Sequence, residues 1–240
     1  MPNSAVPRIR KPHPGEQVNK ESSIREIIFG AEDGFVSTLG LVLGMASATN
    51  DSRVVIIAGA VYVIAEAFSM SAGTYLSSKA EKEYYQSKVN KENWEIDHIP
   101  DAERKEIRDI YYDKGFRGGL LSSIVSKITS NRKTWLKVMM DEELHVFPSK
   151  IDPIKDSIAM FFASIAAGLV PLLPFILLPP SQSVAVSIVV TLLALFLAGA
   201  FKGRFVDMDW KRSGAEMLIV GAIAAAIGYG VGLISGGLVH

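Results

Sequence analysis

The chain has 240 residues, with 25 Lys and Arg against 25 Asp and Glu, 49% hydrophobic residues and no cysteine. The missing cysteine excludes disulfides and thiolate metal sites, and a net charge of zero gives no reason to expect a nucleic-acid partner. Long apolar runs fall in two blocks, roughly 27–78 and 155–240, with most of the charge between them, the pattern of membrane spans interrupted by an aqueous domain.

In chain order, residues 1–26 read as a flexible cytoplasmic tail, polar and carrying Pro2, Pro7, Pro12 and Pro14 without the apolar core of a signal peptide. Five segments then approach the roughly 20 residues needed to cross a bilayer. They are Ile27–Thr49 and Val54–Ser78 within 27–78, and Ile158–Leu178, Val184–Phe201 and Ala215–Leu238 within 156–240. Pro171 and Pro174 inside the third are tolerable only where neighbouring helices satisfy the freed backbone, which predicts a packed bundle. Gly40-x-x-x-Gly44 in the first span and Gly228, Gly230, Gly232, Gly236 and Gly237 in the last allow close helix approach. They suit a homo-oligomeric seam, or the plain abundance of glycine in membrane helices.

Basic residues cluster in the tail, in the central insert and in the loop before the last span, where Lys202, Arg204, Lys211 and Arg212 stand. By the positive-inside rule all three face the cytoplasm. Residues 79–155 read as a helical domain: Lys79–His98 continues the second span, Pro100 opens a helix ending at Gly115, and two more follow near Leu120–Thr129 and Lys133–Leu144. The expected fold is therefore an all-α membrane protein of five transmembrane helices, with a cytoplasmic helical metal-binding domain between the second and third.

Charges within an apolar span are expensive and mark function by default. The first span carries Glu32 and Asp33, and Asp33 shares a helical face with Ser37, Gly40 and Gly44. On the second span Glu66 and Met70 share a face with Gly59, Gly73 and Ser77. Counted from the cytoplasmic ends at 1.5 Å per residue, Asp33 lies about 9 Å deep, Met70 about 12 Å and Glu66 about 18 Å, so Asp33 and Met70 are expected to meet. Carboxylate with thioether suits a divalent cation of borderline softness, iron or its neighbours, rather than magnesium or calcium. The bland alternative makes Met70 a gap-filler, sends Glu32 to the interface and pairs Glu66 with a polar group.

In the insert, Glu92 and Glu95 share a face, Glu103 and Glu106 repeat the spacing, and Met139, Met140 and Glu143 fall within one helical turn. Like charges so spaced repel unless a cation lies between them, or unless Lys91, Arg104, Lys105 and Arg108 make this a solvated, salt-bridged face. Glu95-x-x-His98 and Glu142-x-x-His145 match the ligand spacing of ferritin-like di-iron proteins, which keeps a membrane-anchored oxidase open as an alternative. A non-transporting metal sensor is the third.

The segments GAEDGFVSTLGLVLG, SMSAGTYLS, WLKVMMDEELHV, PLLP and RSGAEMLIVGAIAAAIGY resemble the vacuolar iron transporter family, from about Ile24 to the C-terminus. The resemblance implies a homodimeric five-span carrier, not an enzyme, that moves Fe²⁺ and often Mn²⁺ out of the cytoplasm in exchange for protons. It implies no prosthetic group, the metal being substrate and bound ion. It also implies that Asp33 and Met70 line the path and that Glu92, Glu95, Glu103, Glu106, Met139, Met140 and Glu143 are ligands of the cytoplasmic domain. Beyond these the expected transport path takes in Glu66 and Glu32, and the expected partners are divalent metal, protons and the lipid bilayer. A prokaryotic cell membrane is the favoured location, a vacuole-like membrane the alternative in a eukaryote. The chain departs from the family's pattern at Glu32, where many members have Asn, at Thr74, where many have an acid, and at Tyr62, where some have an acid. Glu66 is the candidate to compensate.

Overall fold

The computed structural model describes residues 14–49, 51–145 and 152–239, so residues 1–13 of the expected tail lie outside the described residues. All the described elements are helical: α1 (Pro14–Thr49), α2 (Ser52–His98), α3 (Pro100–Asp113), α4 (Gly118–Thr129), α5 (Arg132–Val138), a π-helical turn (Met139–Glu143), α6 (Pro153–Leu177), α7 (Pro180–Phe205) and α8 (Trp210–Val239). Five of them, α1, α2, α6, α7 and α8, are long and apolar enough to cross a membrane. Residues 14–26, expected as flexible tail, are helical. A proline suits the first helical turn, and Glu16, Gln17, Lys20, Glu21, Arg25 and Glu26 are all good helix formers. Likewise Pro180 opens α7 four residues ahead of the expected Val184, and α8 starts five residues ahead of Ala215.

The chain divides into two compact units, one formed by residues up to Ser77 together with those from Asp152, the other by Ser78–Ile151. In the first, α1 packs along α6 and α8, and α7 packs along both as well. Leu39, Val42 and Leu43 of α1 are fully buried, joined by Val55 of α2 and by Leu172 and Phe175 of α6. Outward, α2 shows Ile57, Val61, Ile64 and Phe68, each more than 60% exposed, a stripe that a helix leaves toward lipid or a second membrane helix.

The glycine ladder is used within the chain. A Cβ on Gly228 would lie 2.2 Å from the Gly40 carbonyl oxygen, and one on Gly232 would lie 2.1 Å from that of Gly44 and 2.0 Å from Ser47 Oγ. The Gly40-x-x-x-Gly44 face is thereby occupied by α8, and no homo-oligomeric seam is needed to explain it. Gly228→Val should drive the two backbones apart and destabilise the bundle by about 1–3 kcal/mol or more, read as a fall in the unfolding midpoint in detergent.

Pro171 and Pro174 stand within an unbroken α6. Ser187 and Ser183 of α7 donate to the Pro171 carbonyl at 2.7 Å and the Pro174 carbonyl at 3.2 Å and tie α7 to this part of α6, while the carbonyls that the prolines free are those of Ala167 and Val170, four residues earlier.

The second unit gathers Ile96 of α2, Ile107 of α3, Leu121, Val125 and Ile128 of α4, and Trp135 and Met139 around one apolar core. Gly115, with φ of +97°, makes the turn after α3 that a side chain would strain. The expected helix Lys133–Leu144 is α only to Val138. Its last turn is π-helical, with the Leu144 N–H donating to the Met139 carbonyl at 3.2 Å. Such wide turns are rare and concentrate at functional sites.

Candidate functional site

Two groups of carboxylates stand out, one in each unit. In the second unit Glu92 of α2, Glu103 of α3 and Glu143 of the π-helical turn each bring a carboxylate oxygen within 4.8 Å of the other two. Glu92 and Glu103 are only 1% and 2% exposed, while Glu143 lies open to solvent. Both oxygens of Glu92 and Oε2 of Glu103 are buried with no hydrogen-bond partner, a costly arrangement for groups that carry charge at neutral pH.

The electrostatics follow. Burial pushes the Glu92 carboxyl up to about 7, helped by Glu143 and Glu95 and opposed by Lys91. Burial likewise raises Glu103 to about 7, with Glu106 and Glu92 adding repulsion. Glu143, exposed as a residue, has its carboxyl raised by partial burial against its neighbours and then by Glu106. Glu95, half-buried, takes an ion pair with Lys91 at 3.0 Å, and Glu106 is exposed beside the cluster. Arg132 of α5 forks onto Asp97 near the end of α2, and Lys114 pairs with Glu142 of the π-helical turn, so cations brace the flanks of the cluster but leave Glu92 and Glu103 unpaired. Met140 is 3% exposed. Met139 belongs to the apolar core, which accounts for its burial without a metal.

The donor set fits a divalent cation: three convergent carboxylates, two of them with orphaned oxygens. The two histidines of the di-iron spacing do not join it. The His98 ring stacks on Trp94 with centroids 4.5 Å apart, and its Nδ1 lies 2.8 Å from the Trp94 carbonyl oxygen; His145 Nδ1 lies 3.3 Å from that of Asp141.

In the first unit the half-buried Glu66 of α2 accepts a hydrogen bond from the Tyr62 hydroxyl at 2.7 Å. Asp33 and Ser37 of α1 lie near Glu66. The Ser37 hydroxyl donates to the Asp33 carbonyl. Met70 is half-buried on the next turn of α2 and takes none of the described hydrogen bonds. Depth counting put Met70 level with Asp33 and Glu66 deeper on the same face; Glu66 lies near Asp33 all the same. The count took Ile27 and Ser78 as the ends of the spans, but α1 and α2 run on past both, and neither helix end marks depth. Glu32 faces elsewhere, into a cavity of about 590 Å³ shared with Arg25, Phe29, Lys202 and Asp207. Tyr62, read from the sequence only as a departure, is the residue of this group that spacing alone did not single out.

The model of the VIT family matches residues 24–233. Among characterised proteins the chain is 35% identical over 210 residues to "Vacuolar iron transporter 2" of Oryza sativa subsp. japonica, covering 87% of this chain and 85% of the relative. It is 34% identical over 210 residues to "Vacuolar iron transporter 1" of Arabidopsis thaliana, covering 86% and 83%. A "Vacuolar iron transporter" of Toxoplasma gondii is 31% identical over 232 residues, covering 92% and 77%.

Proposed function

Because the chain belongs to the VIT family and so transports metal ions across a membrane rather than acting as an enzyme, we propose that it exports Fe²⁺ from the cytoplasm, with Mn²⁺ as a second substrate, in exchange for protons. The observation that carries this reading is the pair Asp33 and Glu66, two carboxylates near each other in helices otherwise apolar enough to span a bilayer. Charge at that position has no structural use in lipid, and a cation that it meets on the way through gives it one.

In this reading the second unit is cytoplasmic, as its basic residues suggest, and Glu92, Glu103 and Glu143 hold the captured ion with Glu95 and Glu106 beside them. Met140 supplies a thioether that biases the site toward iron over calcium, while Met139 stays in the apolar core. In the spans Asp33 and Glu66 receive the ion with Met70 one turn on, and Glu32 attracts cations at the mouth. The ion leaves as protons arriving from the far side compete for the same oxygens. A homodimer in the lipid bilayer is the assembly that the family resemblance supports. The relatives described above are named vacuolar and come from eukaryotes, so a prokaryotic cell membrane has no support from them. A vacuole-like membrane is the reading they favour.

Coupling is checked by dissipation. In proteoliposomes with an acidic lumen, a protonophore should slow Fe²⁺ uptake several-fold and Mn²⁺ uptake with it, while Ca²⁺ is not carried. Equal rates with and without the protonophore would refute proton exchange.

A further inference from the structure

Tyr62 and Glu66 stand one turn apart on α2, and the phenol donates to Glu66 Oε1 at 2.7 Å. Tyr62 lines a groove of about 420 Å³ together with Ser37, Gly40, Gly44, Gly228 and Gly232. Ser37 donates to the backbone carbonyl of Asp33, and among the described hydrogen bonds Tyr62 is the side-chain donor to Glu66. Glu66 has three freely turning side-chain torsions in solution, counting that of its carboxylate, and a single anchored oxygen removes most of that freedom.

We propose that Tyr62 is a positioning residue for metal passage: its hydroxyl holds Oε1 of Glu66 and so leaves the second carboxylate oxygen, near Asp33, for the passing cation. The inference rests on the transport reading of Asp33 and Glu66 and deepens it. The phenol itself neither binds the ion nor carries charge. It sets where the carboxylate stands, so its whole effect on transport runs through Glu66.

That dependence is testable in the full-length protein reconstituted in proteoliposomes, with Fe²⁺ uptake as the readout. Tyr62→Phe removes only the hydroxyl and should reduce uptake about tenfold, the effect expected of one hydrogen bond to a charged group. Glu66→Gln should reduce it at least as far, and the Tyr62→Phe, Glu66→Gln double variant should be no slower than Glu66→Gln alone. Tyr62→Gln, which keeps a donor, should recover part of the loss. A merely structural role for the ring predicts otherwise: losses that multiply in the double variant and no advantage of Gln over Phe. Multiplying losses, or wild-type uptake by Tyr62→Phe, would overturn the proposal. Should Tyr62→Phe melt early, the comparison of Gln with Phe, each normalised to folded protein, still decides. The two ideas fail differently. If Asp33→Ala abolishes uptake and Tyr62→Phe does not change it, only the role of Tyr62 falls; if neither Asp33→Ala nor Glu66→Gln changes it, the transport reading falls and the proposal with it.

Discussion

Asp33→Ala should reduce Fe²⁺ flux by at least about 100-fold while leaving the protein folded, because the proposed path loses one of its two neighbouring carboxylates inside the span and the other cannot compensate for its charge. Asp33 is half-buried and lies in a helix whose core contacts are made by Leu39, Val42 and Leu43, so removing it leaves the packing of α1 along α6 and α8 intact. Asp33→Asn should behave alike, since it preserves shape and loses charge. Flux and the unfolding midpoint in detergent, measured on the same preparation, separate the two contributions. A loss of flux matched by a loss of folded protein would reduce Asp33 to a structural residue.

The second large effect has opposite signs for stability and for binding. Glu92 and Glu103 are buried without hydrogen-bond partners for three of their four oxygens, and both titrate near 7 in the folded chain. A carboxyl raised in the folded state favours folding while it is protonated. That contribution is complete below the ordinary carboxylate range and is lost as pH rises through about 7. The metal-free protein should therefore melt progressively earlier between about pH 5 and 8, with bound Fe²⁺ or Mn²⁺ restoring the loss at the alkaline end. Glu92→Gln and Glu103→Gln remove the unpaired charge, so each should stabilise the metal-free protein above neutral pH and flatten that slope, yet weaken metal binding by about 100-fold or more. Calorimetric titration of the full-length protein in detergent, with metal across this pH range, checks both signs. Variants that bind metal like the wild type would place the ion elsewhere.

Much of this was legible in the sequence, for identifiable reasons. The five spans announce themselves as apolar runs, and Pro100 and Gly115 punctuate the insert where α3 starts and the turn after it ends. Spacing paired Glu92 with Glu95 and Glu103 with Glu106 and left a salt-bridged face open; that Glu92, Glu103 and Glu143 share one site was implied only by the family resemblance. What could not be read depends on how helices cross. Gly40 and Gly44 carry the same signature whether they face a second subunit or α8, and only the placement of Gly228 and Gly232 against their carbonyls decides between them. That Glu66 lies near Asp33 was missed because depth counting needs a fixed origin, and α1 and α2 both continue beyond the lengths of their spans. The π-helical turn has no marker in MMDEE, and the core position of Met139 follows from that turn rather than from its spacing to Glu143. Tyr62 escaped notice because a hydrogen bond between side chains depends on rotamers, which sequence patterns do not carry.

The central claim, that this chain moves iron along its intramembrane carboxylates, meets its most direct test in Fe²⁺ accumulation by proteoliposomes with an acidic lumen, comparing wild type with Asp33→Ala. The account predicts uptake with alkalinisation of the lumen for the wild type and neither for the variant. Metal binding without uptake in the wild type, or equal uptake in both, would contradict it.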